Sequence, residues 1–214
     1  ESHLLEELNK LMETVDIRFV YQEQPRGLGH AILSSQSLVG NEPFLVILPD
    51  DIIQGSEGVS LQMIRMFDDF QTSIIAVKNV PWKDVHRYGV IQTQGNDSRI
   101  NKIDGVVEKP RQKEAPSNIT IVGRYILTPE IFSCIENTNI GAKGEIQLTD
   151  SVGLLLDHEQ VYAYSFEGMR YDVSTHIGLL QASLEIALGR EDTHRDAQVM
   201  IDQLHSKLLH NNLQ

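Results

Sequence analysis

Residues 44–48 read Phe-Leu-Val-Ile-Leu and stop at Pro49-Asp50-Asp51, and residues 73–77 read Ser-Ile-Ile-Ala-Val. Apolar side chains that run on without alternation need cover on both faces, as in strands inside a layered α/β sheet. Segments of helical period stand between such strands. Leu4, Leu5, Leu8, Leu11, Met12 and Val15 share one helix face ahead of a strand expected at 17–21, and a short helix is expected at 31–38. Val59, Met63, Met66, Phe67 and Phe70 mark a further helix between the two apolar runs. The order α-β-α-β-α-β predicts a doubly wound, mostly parallel sheet.

The second half is richer in strands, expected at 88–93, 99–108, 120–127 and 161–166. A helix opened by Pro129 and one capped near Thr149 or Asp150 separate the last two, with the loop Gly141-Ala142-Lys143-Gly144 between them. A helix over 175–188 is expected to bury Ile177, Leu180, Leu184 and Ala187, with Gly189 ending it. Ala197, Met200, Ile201, Leu204 and Leu208 repeat the pattern in the tail. The 214 residues, 41% hydrophobic, suffice for one domain with an appendage, divided here into residues 1–190 and a helical extension over 191–214.

Charge narrows the function. Eighteen basic residues against 30 acidic ones give a net charge of -12, which argues against a nucleic-acid backbone as partner but leaves room for a small phosphorylated ligand. Cys134 is the only cysteine, so no intrachain disulfide can form and a reducing cytoplasm is the expected compartment. No apolar run reaches the length of a membrane span.

Ligands of open α/β sheets bind beyond the carboxyl ends of the strands. Asp50 and Asp51 stand at such an end, where a carboxylate can hold a hard cation such as Mg2+ or simply solvate the strand. Gly27-Leu28-Gly29 lies between a strand and a helix and lets the backbone come close to a ligand, but it is neither a P-loop nor a dinucleotide fingerprint. In Gly105-Val106-Val107-Glu108-Lys109-Pro110 an apolar strand ends on an acid beside a base, which by itself suits a strand leaving the core and meeting water, with Pro110 as its terminator. His194, His205 and His210 on a polar tail read as solvated, and His30 and His176 near helix starts suit a structural role at least as well as a functional one.

Seven short motifs occur in order: Gln22 with Gly27-Leu28-Gly29-His30-Ala31, Leu48-Pro49-Asp50, Val107-Glu108-Lys109-Pro110, Ala115-Pro116-Ser117-Asn118, Val122-Gly123-Arg124-Tyr125, Gly144-Glu145-Ile146-Gln147-Leu148-Thr149-Asp150, and Gly168-Met169-Arg170-Tyr171-Asp172. Together they resemble the bacterial UTP–glucose-1-phosphate uridylyltransferases across residues 1 to 190. The resemblance implies a Rossmann-like nucleotide-diphospho-sugar transferase fold with a small antiparallel element and C-terminal helices. It implies UTP and glucose 1-phosphate as substrates, with UDP-glucose and pyrophosphate as products. By the same resemblance Gln22 and Gly27 read the uracil, and Asp50 and Asp172 hold Mg2+. Glu108 accepts from glucose hydroxyls, Lys109 meets the sugar phosphate, and Gly123 lets the backbone close over the sugar. A homodimer or higher homo-oligomer is the expected assembly.

The chain departs from the family pattern in two places. No Gly-x-Gly-Thr-Arg segment of the kind that wraps nucleotide phosphates is found, so N-terminal βα units are expected to be missing. Met169 stands where the family has lysine, and Ser174, suited to cap the next helix, stands where it has glycine. Arg170 is no obvious substitute, since neighbours in an extended segment face opposite sides. A non-catalytic relative binding nucleotide sugar or a partner subunit, and an enzyme for another nucleotide or sugar phosphate, are the alternatives.

Overall fold

The computed structural model describes residues 2–95, 99–141 and 144–211, with side chains described for 5–95, 99–141 and 144–208. The first half contains α1 (Ser2–Glu13), α2 (Gly27–Leu33), α3 (Gln36–Val39), β1 (Phe44–Ile47), β2 (Asp51–Gln54), α4 (Val59–Phe70) and β3 (Ile74–Asn79). A 3-10 turn over Trp82–Arg87 leads to β4 (Gly89–Gln92), β5 (Ile100–Lys102), β6 (Gly105–Glu108) and β7 (Ile119–Leu127). Then come α5 (Glu130–Asn137), α6 (Leu148–Leu155), β8 (Tyr162–Ser165), β9 (Met169–Asp172), α7 (His176–Gly189) and α8 (His194–Asn211).

The long strand β7, dense in β-branched and aromatic residues, organises the main sheet. It takes β3 along one edge, from Ile74 opposite Ile126 to Asn79 opposite Ile119. Its other edge is shared end to end by β1, with Phe44 opposite Leu127, and β4, with Val90 opposite Thr120. All three run antiparallel to it, while β8 lies parallel to β3. The α/β expectation holds, with helices on both faces of a Rossmann-like sheet. The sheet is mixed rather than mostly parallel: among the described strands only β3 and β8 pair in parallel. An unbroken apolar run reports burial of both strand faces and carries no information on direction.

Alternation along the central strands sorts the core. Ile75 and Val77 of β3 join Ile121, Tyr125 and Leu127 of β7 against α5 and α6, where Ile131, Phe132, Ile135, Val152 and Leu155 are buried. Ile74 and Ala76 join Val122 and Ile126 against Val59 and Met63 of α4. Each fully buried side chain of this size contributes about 1.5–3 kcal/mol, so the two-faced packing outweighs local strand preferences.

Several elements differ from the sequence-based expectation. Residues 17–21 form no strand and join no sheet, and Phe19 and Tyr21 are 83% and 88% exposed, because strand propensity needs an edge to pair with. The expected helix at 31–38 begins at Gly27 and breaks after Leu33, where the Ser34 and Ser35 hydroxyls donate back to the His30 and Ile32 carbonyls. The expected strand at 99–108 divides, β5 pairing with β8 and β6 with β4. The helix expected to be capped near Thr149 or Asp150 is capped at Gln147 and already contains both residues, from Leu148. The ribbon of β2 and β9 supplies the small antiparallel element. Residues 142 and 143 of the glycine-flanked loop lie outside the described residues. On α7 only Ala182 is buried; Leu184 and Ala187 are half-buried, whereas Ile177 and Leu180 are exposed. The cap of α7 is Thr175, whose hydroxyl accepts from Gly178 N at 3.0 Å, and not Ser174. No described helix is long and apolar enough to cross a membrane.

Candidate functional site

Asp50 lies in the turn between β1 and β2 and Asp51 opens β2, and their surroundings separate them. Asp51 is buried. Its Oδ2 accepts from Gly123 N at 2.7 Å and its Oδ1 accepts from the Arg170 guanidinium, itself nearly buried. Arg124 fastens the same turn by donating to Leu48 O at 2.9 Å and Asp51 O at 2.8 Å. Asp50 is exposed, and its carbonyl accepts from Val173 N at 2.9 Å. Because Asp51 pairs in register with Asp172, Asp50 and Asp172 come from adjoining ends of the two-stranded ribbon. Both line one cavity of about 420 Å³.

Asp172 is surrounded by donors. Arg87 Nη2 donates at 2.7 Å and the Tyr88 hydroxyl at 3.0 Å to Oδ2; the Ser174 backbone N donates at 3.2 Å, and its hydroxyl also donates, to Oδ1. Burial pushes the Asp172 carboxyl up, but the hydrogen bonds from Ser174 and Tyr88 and the charges of Arg170 and Arg87 outweigh it. The group is held below the usual carboxylate range. The Tyr88 ring lies near the guanidinium groups of Arg170, at 4.9 Å, and Arg87, at 5.2 Å. Burial and the bond to Asp172 push the Tyr88 phenol up, so it remains a donor at neutral pH.

Glu108 and Lys109 face the same cavity from the end of β6. Glu108 Oε1 is 2.8 Å from Lys109 Nζ, and Oε2 accepts from Thr149 Oγ1 at 2.6 Å. Lys109 has φ of 45°, a left-handed conformation that is uncommon for a residue with a side chain, while its N–H continues the ladder to Tyr88 O at 3.1 Å. Gly123 also lines the cavity. A Cβ there would lie 2.6 Å from Leu48 Cβ and 2.8 Å from Asp51 Oδ2, so its missing side chain first admits protein atoms.

Gln22 and Gly27 sit together just outside this lining. Gln22 Nε2 donates to Gly27 O at 3.1 Å and lies 2.8 Å from His30 Nδ1, which gives His30 a polar role the sequence did not assign. Gly27 has φ of 91°, and a Cβ on it would meet Ile146 O at 2.8 Å. Ile146 N donates to Arg26 O and Gly29 N donates to Ile146 O, docking the loop on the segment that contributes Glu145 and Gln147 to the cavity. Leu28, next to Gly27, lines the cavity as well.

Five of the seven candidate residues therefore share one cavity and the other two adjoin it. Sequence reading named Asp51 only as a cation ligand or solvating group beside Asp50, and missed Arg87, Tyr88, Thr149 and Arg170 as parts of the site. Alternation along β9 was the available signal for one of them. It puts Arg170 on the side of Asp172 and leaves Met169, 54% exposed, off the cavity wall. Arg87 pairs directly with Asp172, Arg170 pairs with Asp51 on the same cavity wall, and the Met169 side chain lies off that wall.

Comparison with known proteins gives concordant matches. The family model described as Nucleotidyl transferase matches residues 1–188. The chain is 41% identical over 204 residues to the UTP–glucose-1-phosphate uridylyltransferase of Staphylococcus epidermidis, covering 95% of this chain and 71% of that protein. It is 42% identical over 188 residues to the enzyme of the same name from Bacillus subtilis, covering 88% and 64%. A UDP-glucose pyrophosphorylase solved with UDP-glucose superposes with TM-score 0.83 at 38% identity, covering 88% of this chain and 72% of that one. A UTP-bound UGPase from Acinetobacter baumannii gives TM-score 0.81 at 33% identity, covering 95% and 72%.

Proposed function

The chain belongs to the nucleotidyl transferase family, and from that membership we propose that it joins UTP and glucose 1-phosphate into UDP-glucose, releasing pyrophosphate. A phosphate oxygen of glucose 1-phosphate attacks the α-phosphorus of UTP in line with the departing pyrophosphate. Such a transfer asks the protein mainly for positioning and charge neutralisation. The observation that carries this reading is the single cavity shared by Asp50, Glu108, Lys109, Gly123 and Asp172. Glu108, an acceptor-only carboxylate, suits glucose hydroxyls, and the Lys109 ammonium beside it suits the sugar phosphate. Gln22 and Gly27 contribute an amide and a backbone edge to the uracil, and Gly123 contributes backbone next to the sugar.

The family generally works with a divalent metal, and Asp50 and Asp172, which line one cavity, are the carboxylates that would hold Mg2+. Among the described residues no group of three or more His, Cys, Asp or Glu could hold a metal ion, whereas Mg2+ needs only one or two carboxylates plus substrate phosphates. The depressed Asp172 carboxyl is ionised for that task. Once bound, the cation would balance charge on the phosphates. The non-catalytic alternative gains nothing from the relatives, which are named as enzymes.

In this reading residues 1–190 form the nucleotidyltransferase domain and 191–214 its helical extension, acting in the cytoplasm. The exposed apolar side chains of α7 and α8 support a homodimer or higher homo-oligomer. Pyrophosphate release by the full-length protein, assayed over a panel of nucleoside triphosphates and sugar phosphates, tests the assignment. UTP with glucose 1-phosphate is expected to give the highest kcat/KM. Another pair ahead by about tenfold, or bound UDP-glucose with no turnover, would overturn it.

A further inference from the structure

Glu108 is held by more than its neighbour in sequence. Its Oε2 accepts from the Thr149 hydroxyl at 2.6 Å, within the range of a charge-assisted O–H···O⁻ bond, while Oε1 faces the Lys109 ammonium at 2.8 Å. Thr149 is buried in the first turn of α6, so its hydroxyl is carried by a helix packed into the core and not by a loop. Gly89 clears the way. It is the register partner of Glu108 on β4, and a Cβ on it would lie only 2.8 Å from Thr149 Oγ1. The missing side chain on β4 thus leaves room for the hydroxyl that α6 brings to Glu108 on β6, and both Glu108 and Thr149 line the cavity.

We infer that Thr149 is a positioning residue for sugar recognition: its hydroxyl fixes the Glu108 carboxylate in the orientation from which it accepts glucose hydroxyls. A carboxylate offers about four acceptor directions. Thr149 takes one and Lys109 another, and about two remain for a polyol. Without the Thr149 hydroxyl, Lys109 is the only one of these partners left, and Glu108 is free to turn both oxygens toward it and away from the sugar. The inference rests on the proposed sugar-binding role of Glu108 and adds the residue that sets its geometry.

The test compares UDP-glucose with UDP, which share the nucleotide and differ in the sugar. Binding of each to the full-length protein is measured by calorimetry for the wild type, Thr149→Val, Thr149→Ser and Glu108→Gln. Valine keeps the shape but neither donates nor tolerates an oxygen 2.6 Å away; serine keeps the donor. Thr149→Val is expected to weaken UDP-glucose about tenfold and leave UDP unchanged, with Thr149→Ser within about twofold of wild type. Intact UDP binding shows that the variant is folded. Equal losses for UDP and UDP-glucose, or Thr149→Ser as impaired as Thr149→Val, would overturn the inference. A selective loss of UDP-glucose in Glu108→Gln without one in Thr149→Val would overturn it too, leaving the sugar site standing. No selective loss in either variant would refute the sugar role of Glu108 itself.

Discussion

Asp50 and Asp51 are adjacent in sequence, yet one faces the cavity from an exposed turn and the other is closed between Gly123 N and Arg170. Removing one member of a buried pair leaves an uncompensated charge, which costs about 3–5 kcal/mol. Asp51→Ala is therefore expected to lower stability by that amount in urea unfolding. Asp50→Ala should change it by less than about 0.5 kcal/mol while abolishing pyrophosphate release. The Asp172 carboxyl supplies a pH prediction. Its folded pKa is depressed, so the stability it contributes is fully present above the ordinary carboxylate value and is lost as pH falls through the lowered one. Burial opposes that depression and the Ser174 hydrogen bond is the first of the groups that produce it. Ser174→Ala should accordingly move the acid limb of the kcat/KM profile to higher pH; an unmoved limb would assign that limb to another group. Glu108→Gln should raise KM for glucose 1-phosphate, whereas Lys109→Ala should lower kcat by about 10²–10³ through lost charge balance.

At the scale of elements, β9 is the instructive case. Its Met-Arg-Tyr-Asp sequence alternates over four residues only, too short a run to announce a strand, and its partner β2 is equally short, so neither was expected as a strand. Pairing between them nevertheless decides which side chains reach the cavity. Arg170 and Asp172 share one face, and Met169 shares the other with Tyr171, whose hydroxyl donates to Glu185 at 2.8 Å. Met169→Lys should therefore leave kcat within about twofold, while Arg170→Met should destabilise the site by stranding Asp51. A large gain in kcat from Met169→Lys would contradict the register of β9. Motifs at strand ends, such as Pro49-Asp50 and Glu108-Lys109, were legible because acids and bases there break an apolar run. Tyr88, Thr149 and Arg170 were not, because each matters only through a partner more than forty residues away or across the sheet.

In the molecule as a whole, strands inside the core were readable and strand direction was not. Continuous apolar runs showed that β1 and β3 needed cover on both faces, but only the pairing with β7 revealed their antiparallel neighbour. The same limit applies to helices: the period of α7 and α8 was visible, yet Ile177, Leu180, Leu204 and Leu208 face outward. If that surface joins copies of the chain, Leu180→Glu should lower the sedimenting mass in analytical ultracentrifugation; a wild-type monomer would contradict the proposed oligomer. The central claim is that one cavity, built by β6, β7, α6 and the β2–β9 ribbon, receives the nucleotide sugar. A crystal structure of the full-length protein with UDP-glucose tests it most directly. Glucose hydroxyls should lie within about 2.6–3.2 Å of the Glu108 carboxylate, with the diphosphate between Lys109 and the Asp50–Asp172 pair and the uracil against Gln22 and Gly27. UDP-glucose bound elsewhere, or with its sugar turned away from Glu108, would contradict the account.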